Sequence, residues 1–144
     1  MKVLSLLQPW ATLVVLGQKR IECRSWQTAH RGPLLIHASA RKPTRREKFY
    51  FESAPYFGRF VPDMEHLPYG ALIGQVTLVD IHSTEWLVPQ HQHLFDDIHW
   101  PQELAFDDYS PGRFAWHLTD ARELPAWLPV KGTLGLWEYN GSFE

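Results

Sequence analysis

The stretch Ala71–Ile81 constrains the fold of this chain more than any other: it is rich in β-branched residues and opens beside Gly70, the signature of a strand. Shorter segments read the same way at Lys2–Leu7, Arg20–Trp26, Pro33–Ala38, Arg113–Leu118 and Leu134–Tyr139. A helix is expected to follow Pro9, whose missing N–H is no loss in a first turn, and to stop at Gly17. A second is expected from Thr44, which with Glu47 three residues on makes a capping-box pattern, and Pro55 should end it. Gly58–Gly70 reads as loop and Leu124–Pro129 as a Pro-punctuated connection. Five to seven strands with two or three helices predict an α+β fold. The sheet is expected to be mixed, mostly antiparallel and closed into a β-barrel, with two or three flanking helices. At 144 residues one domain over 1–144 is expected, with roughly two-thirds of the unfolded chain's surface buried. The segment around 82–112, with four His, several aromatic residues and two acidic pairs, is the expected home of a variable insertion.

The stretch with most chemistry is Gly17-Gln18-Lys19-Arg20-Ile21-Glu22-Cys23-Arg24-Ser25-Trp26. Alternation along a strand puts Arg20, Glu22, Arg24 and Trp26 on one face and Ile21, Cys23 and Ser25 on the other, which is the core face. Two cations, a carboxylate and an indole on one face, with Lys19 at the turn before them, suit a nucleotide.

Three motifs in order resemble an ASCH domain of the PUA-like superfamily: Leu4-Ser5-Leu6-Leu7-Gln8-Pro9-Trp10-Ala11, then Gly17-x-Lys19-x-x-Glu22-x-Arg24 with Ser25-Trp26, then His30-Arg31-Gly32-Pro33-Leu34-Leu35-Ile36-His37-Ala38. The likeness is strongest to the ASCH domain found in transcription-coactivator proteins. It is dense over residues 3–43, returns at Gly70–Asp80 and closes at Val130-Lys131-Gly132 with Leu136-Trp137, while residues 81–110 match nothing in it. The resemblance implies a PUA-like barrel and a nucleic-acid-binding module, in which Lys19, Arg20, Arg24, Arg31, Arg41 and Lys42 meet phosphates while Trp10 or Trp26 stacks a base. Ser25 and His30 belong to the same surface. Some ASCH-like proteins are hydrolases of N4-acylated cytidine or ribonucleases that use the Lys of this motif. The resemblance therefore also implies an enzymatic alternative, with Lys19, Glu22 and Arg24 as its catalytic set. In the deacylases a Thr stands three residues after that Lys, where this chain has Glu22, and a neighbouring carboxylate holds an ammonium charged. A rim ion pair among Lys19, Glu22 and Arg24 is the structural alternative.

Residues 1–60 hold 11 Lys/Arg against 3 acids and residues 61–144 hold 3 against 13. Either the basic half forms a surface that steers a polyanion, or the two halves neutralise each other across the fold. Arg45, Arg46 and Lys48 would extend such a surface. The single cysteine excludes an internal disulfide framework, and Cys23 is expected in the core. No signal-peptide pattern opens the chain, and apolar runs such as Leu13–Leu16 are far too short to span a bilayer. A cytoplasmic protein without membrane contact is expected. His91-x-His93 with Asp96 and Asp97 is the most ligand-like cluster, but no Cys pair or His-Glu-x-x-His pattern completes it, so neither metal nor cofactor is expected. The expected partner is RNA or single-stranded DNA; a protein partner docking on the acidic, aromatic 82–112 segment is a third reading. Trp116 and Trp137, inside apolar strands, are expected in the core.

Overall fold

The computed structural model describes residues 1–142. Six strands, β1 (Lys2–Leu6), β2 (Ile21–Arg24), β3 (Gly32–Ala38), β4 (Ala71–Ser83), β5 (Phe114–Pro129) and β6 (Leu136–Glu138), form one sheet in the order β2-β5-β4-β3-β1-β6. Only β1 and β3 pair parallel; every other neighbouring pair is antiparallel. The sheet curls into a half-barrel, helped by bulges in the β3–β4 and β4–β5 ladders, which bend and twist a strand locally. Closure was expected; instead β2 and β6 remain the two edges.

Among the described residues five α-helical segments stand where two or three were expected: α1 (Trp10–Val15), α2 (Arg45–Ser53), α3 (Phe57–Phe60), α4 (Thr84–Leu87) and α5 (Trp100–Phe106). The additional ones are short and lie in stretches with no readable periodicity; Ser83 caps α4 and His99 caps α5, whereas α3 has no side-chain cap. In α1 the side chain of Gln8 accepts the N–H of Thr12 at 3.0 Å while its amide donates to the Pro68 carbonyl at 2.9 Å. Gly17 stops the helix at φ +75°, a conformation glycine adopts without strain. The capping box of α2 is complete, with Glu47 N–H donating to Thr44 and Thr44 N–H to Glu47. Strand β5 runs through Pro125 to Pro129, where a connection was expected. The β5 partner jumps from Leu128 opposite Leu72 to Glu123 opposite Gly74, so Leu124–Trp127 bulge off the ladder and Pro125 removes no paired N–H.

The main core lies between the sheet and α1 and includes Leu4, Leu34, Ile36, Val76, Leu118 and the fully buried Trp116. Trp137 is partly buried, packed on Val3, Leu35 and Leu72. Leu13, Phe51, Phe57, Met64 and Phe106 hold α2 and α3 down. A third cluster of Ile21, Cys23, Leu87, Ile98, Trp100 and Ala115 clamps α4 and α5 onto the β2 edge. This last contact delivers α5 carboxylates to the motif strand.

Candidate nucleic-acid cleft

Strand β2 is a sheet edge, and its outward N–H groups need partners. Glu103, on α5, takes the N–H of Arg20 at 2.8 Å and of Ile21 at 3.1 Å; Asp107, just after α5, takes that of Cys23 at 2.8 Å. Two carboxylates thus stand in for a missing neighbouring strand. Burial pushes the Glu103 carboxyl up to about 7, against the opposing pull of Lys19 and the two N–H bonds.

Lys19 meets the same carboxylates from inside. Its ammonium is wholly buried, donates to Glu22 Oε1 at 2.8 Å and Asp107 Oδ2 at 2.6 Å, and also donates to the Ile21 carbonyl. Burial alone pushes an ammonium down, but the charges of Glu22, Asp107 and Glu103 outweigh it and hold Lys19 above the ordinary lysine value. Lys19 is expected at the turn before the strand, to hold a phosphate or to act as base or nucleophile; the structure places its ammonium, charged and three-fold hydrogen-bonded, behind Glu22 and outside the cleft lining. The rim ion pair is instead an internal one.

Glu22 passes the network outward. Its Oε2 accepts from Arg24 Nε at 3.1 Å, and Arg24 Nη2 donates to the Ser5 carbonyl at 3.0 Å. The guanidinium is fixed 5.9 Å from the Trp26 ring centre, with Nη1 unengaged among the described residues. Trp26 packs edge-on against Trp116 at 5.0 Å. These side chains wall a cleft of about 1020 Å³ together with Ser25, Trp10, the ends of β1 and β3, and the 129–135 segment, at the upper limit of ordinary ligand pockets.

The opposite wall is anchored by His37. Its Nε2 lies 2.7 Å from the Val130 carbonyl, which only accepts, so Nε2 carries the proton and Nδ1 faces the Ser5 hydroxyl at 3.3 Å. Ser5 Oγ in turn accepts from Trp137 Nε1 at 2.9 Å. Burial lowers the His37 pKa, opposed by the Val130 bond. A Cβ on Gly132 would lie 2.5 Å from the His37 ring, so only glycine allows this segment to pass there. Lys131 beside it lines the cleft with no anionic partner among the described residues.

Of the expected site residues, Trp10, Glu22, Arg24, Ser25 and Trp26 share the cleft. Arg20 does not join them; it turns to Asp97 at 2.6 Å, because β2 begins only at Ile21 and the alternation does not reach back to it. Arg31 pairs with Asp80 at 3.4 Å and His30 bonds the Pro33 carbonyl, both away from the cleft. Arg41 pairs with Glu47, while Lys42 covers the Tyr69 ring at 4.7 Å; both follow the rim residues Ser39 and Ala40. For Lys19, Arg20 and Arg31 the acidic half of the chain does neutralise the basic half. Cys23 is buried as expected, its thiol pushed up by burial and by Asp107. Among the described residues no three His, Cys, Asp or Glu gather as metal ligands, and His91 bonds the Val88 carbonyl instead of facing Asp96 or Asp97. No helix among them is long and apolar enough to cross a membrane. Sequence reasoning missed Glu103, Asp107, Ser5, His37 and Lys131. The Asp107-Asp108 pair and the Val130-Lys131-Gly132 match were visible signals, but nothing local tied either to β2.

The ASCH domain family model matches residues 4–126. Activating signal cointegrator 1 of Homo sapiens is 36% identical over 143 residues, and that of Mus musculus 35%. Each alignment covers 98% of this chain and 22% of the relative, so the chain spans about a fifth of the length of the curated relatives it matches. Among solved structures, the ASCH protein from Zymomonas mobilis superposes with a TM-score of 0.55 at 16% identity, covering 96% of this chain and 87% of that one. A serine-to-alanine mutant of that protein gives 0.51 at the same identity and coverage. At such identity the likeness concerns the fold.

Proposed function

The chain belongs to the ASCH domain family, and from that premise we propose that it binds single-stranded nucleic acid, RNA or DNA, in the cleft between β2 and the 129–135 segment. The observation that carries this reading is the Arg24 guanidinium, held by Glu22 and Ser5 at a fixed distance from the Trp26 ring. A pre-oriented cation beside an aromatic face is what a phosphate and its base require. Lys131 faces them from the other wall. Lys19 acts at one remove: it holds Glu22, which holds Arg24. One domain spans the chain, and the 82–112 segment braces β2 and brings Asp107 to the cleft wall. The protein works in the cytosol.

The test is fluorescence anisotropy with a short labelled RNA and the matching DNA at two salt concentrations, with the same mixtures sampled over hours for cleavage. Salt-sensitive binding of intact probe that falls about tenfold in Arg24→Gln, a loss of roughly 1.4 kcal/mol, is expected. Probe cleavage abolished by the same variant would mean a hydrolase. Absence of binding at either salt would refute the reading and leave the protein partner that the cointegrator relatives suggest.

A further inference from the structure

A groove of about 640 Å³ opens beside the cleft and shares Trp10 and Asp107 with it. We infer that this groove is a second nucleotide subsite, which takes the base next along the strand against Tyr50 and its phosphate on Arg46. The inference rests on the cleft reading above and extends it.

Three observations carry it. First, Tyr50 is 54% exposed, yet its ring is held edge-on by Phe51 at 5.1 Å and Phe57 at 6.3 Å. An exposed aromatic ring already fixed in place loses little freedom when a base stacks on it. Second, Arg46 lies one helical turn before Tyr50, on the same face of α2. Arg45 and Arg46 have no anionic partner among the described residues, whereas neighbouring Arg41 pairs with Glu47 and Lys48 with Glu52.

Third, the two walls differ in charge. The α2 wall brings Arg46, and the far wall brings Asp107 and Asp108. Asp107 is already committed to Lys19 and the Cys23 N–H, Asp108 to the Ser110 N–H, and Glu47 to Arg41 and Thr44. On α2 the charge of Glu47 is balanced by Arg41, which leaves Arg46 as the cation without an anionic partner among the described residues, whereas the far wall carries two carboxylates; a phosphate is therefore drawn to Arg46 and the strand backbone runs along α2. Ser39 and Ala40 line the cleft, and Arg41, which follows directly, pairs with Glu47 on the groove wall, so the two hollows adjoin through this segment as well as through Trp10 and Asp107.

The test compares labelled trinucleotide and octanucleotide probes, oligo(U) and oligo(dT), on the whole chain. The trinucleotide reports the cleft; the octanucleotide reports cleft and groove together. Tyr50→Ala should weaken octanucleotide binding about tenfold, the worth of one stacked base, and Tyr50→Phe should restore it. Arg46→Gln should lower the magnitude of the logarithmic salt slope by about 0.7, one phosphate of a single strand. Neither should move trinucleotide affinity, and unchanged thermal unfolding should show that both exposed variants fold. Octanucleotide binding unaffected by either change, while Arg24→Gln weakens both probes, would overturn the subsite and leave the cleft standing. Failure of the wild type to bind either probe would overturn both.

Discussion

Replacing Lys19 by Met keeps most of the buried volume and deletes the charge. The carboxylates of Glu22 and Asp107, with side chains only 9% and 11% exposed, would then lose the cation between them, leaving only Arg24 on the outer oxygen of Glu22. Breaking a buried pair in this way costs about 3–5 kcal/mol, against about 0–1 kcal/mol for an exposed pair. That is a large share of the roughly 5–15 kcal/mol that holds a domain together. The assay is urea unfolding followed by tryptophan fluorescence. The deficit should also depend on pH. With Lys19 gone, the two buried carboxylates repel each other and protonating either one relieves that repulsion, so the gap between variant and wild type should be smaller at about pH 5 than at about pH 7. Adding Asp107→Asn to Lys19→Met should recover part of the loss, a coupling that a double-mutant cycle reads directly. A deficit under about 1 kcal/mol that does not vary with pH would refute the buried network. Lost ligand binding alongside such a small deficit would return Lys19 to the role of direct contact.

Three further outcomes follow from the same geometry. Glu103, with a folded pKa of about 7 against an unfolded value of 4.5, stays protonated longer in the folded state, so its contribution is full below pH 4.5 and is lost as pH rises toward 7. Glu103→Gln should remove about 3 kcal/mol of that slope; urea midpoints that run parallel in the two proteins across this window would contradict it. Gly132→Ala should cost about 1–3 kcal/mol, because its Cβ meets the His37 ring, and an unfolding temperature equal to wild type would show that the segment passes elsewhere. His37 has its pKa lowered by burial, so it takes its proton only below the usual histidine value. Its stabilisation is present above the unfolded pKa of 6.5 and lost as pH falls. The NMR titration of its Cε1 proton should have a midpoint under 6.5, and a midpoint at or above that value would remove it as an anchor of the cleft wall.

Much of the scaffold was legible because its causes are local. Thr44 and Glu47 lie three residues apart and cap each other whatever surrounds them, and Gly17 relieves the helix end through its own backbone freedom. The inward pair Ile21 and Cys23 follows from the two-residue period of a strand. The same period failed at Arg20 and at Ser25, which is exposed instead of inward, because strand geometry begins at Ile21 and ends at Arg24, and no pattern within the motif marks those boundaries. The extra helical turns and the passage of β5 through Pro125 depend on how the ladder bulges, which a proline count cannot reveal.

The amino-acid sequence by itself determined the family, the α+β barrel-like class of fold and the gathering of Glu22 and Arg24 on one strand with Ser25 and Trp26 directly after it, since each rests on short-range period or on ordered motifs. Tertiary structure alone decided that the sheet stays open and what those groups do. Asp107 reaches Lys19 across 88 residues and Glu103 reaches Arg20 across 83, and those contacts turn a surface lysine into a buried support for Arg24. The physical reason is that a charge's role depends on its solvent and its counter-charge. Both are set by which distant segment packs against it, and spacing along the chain does not encode that choice.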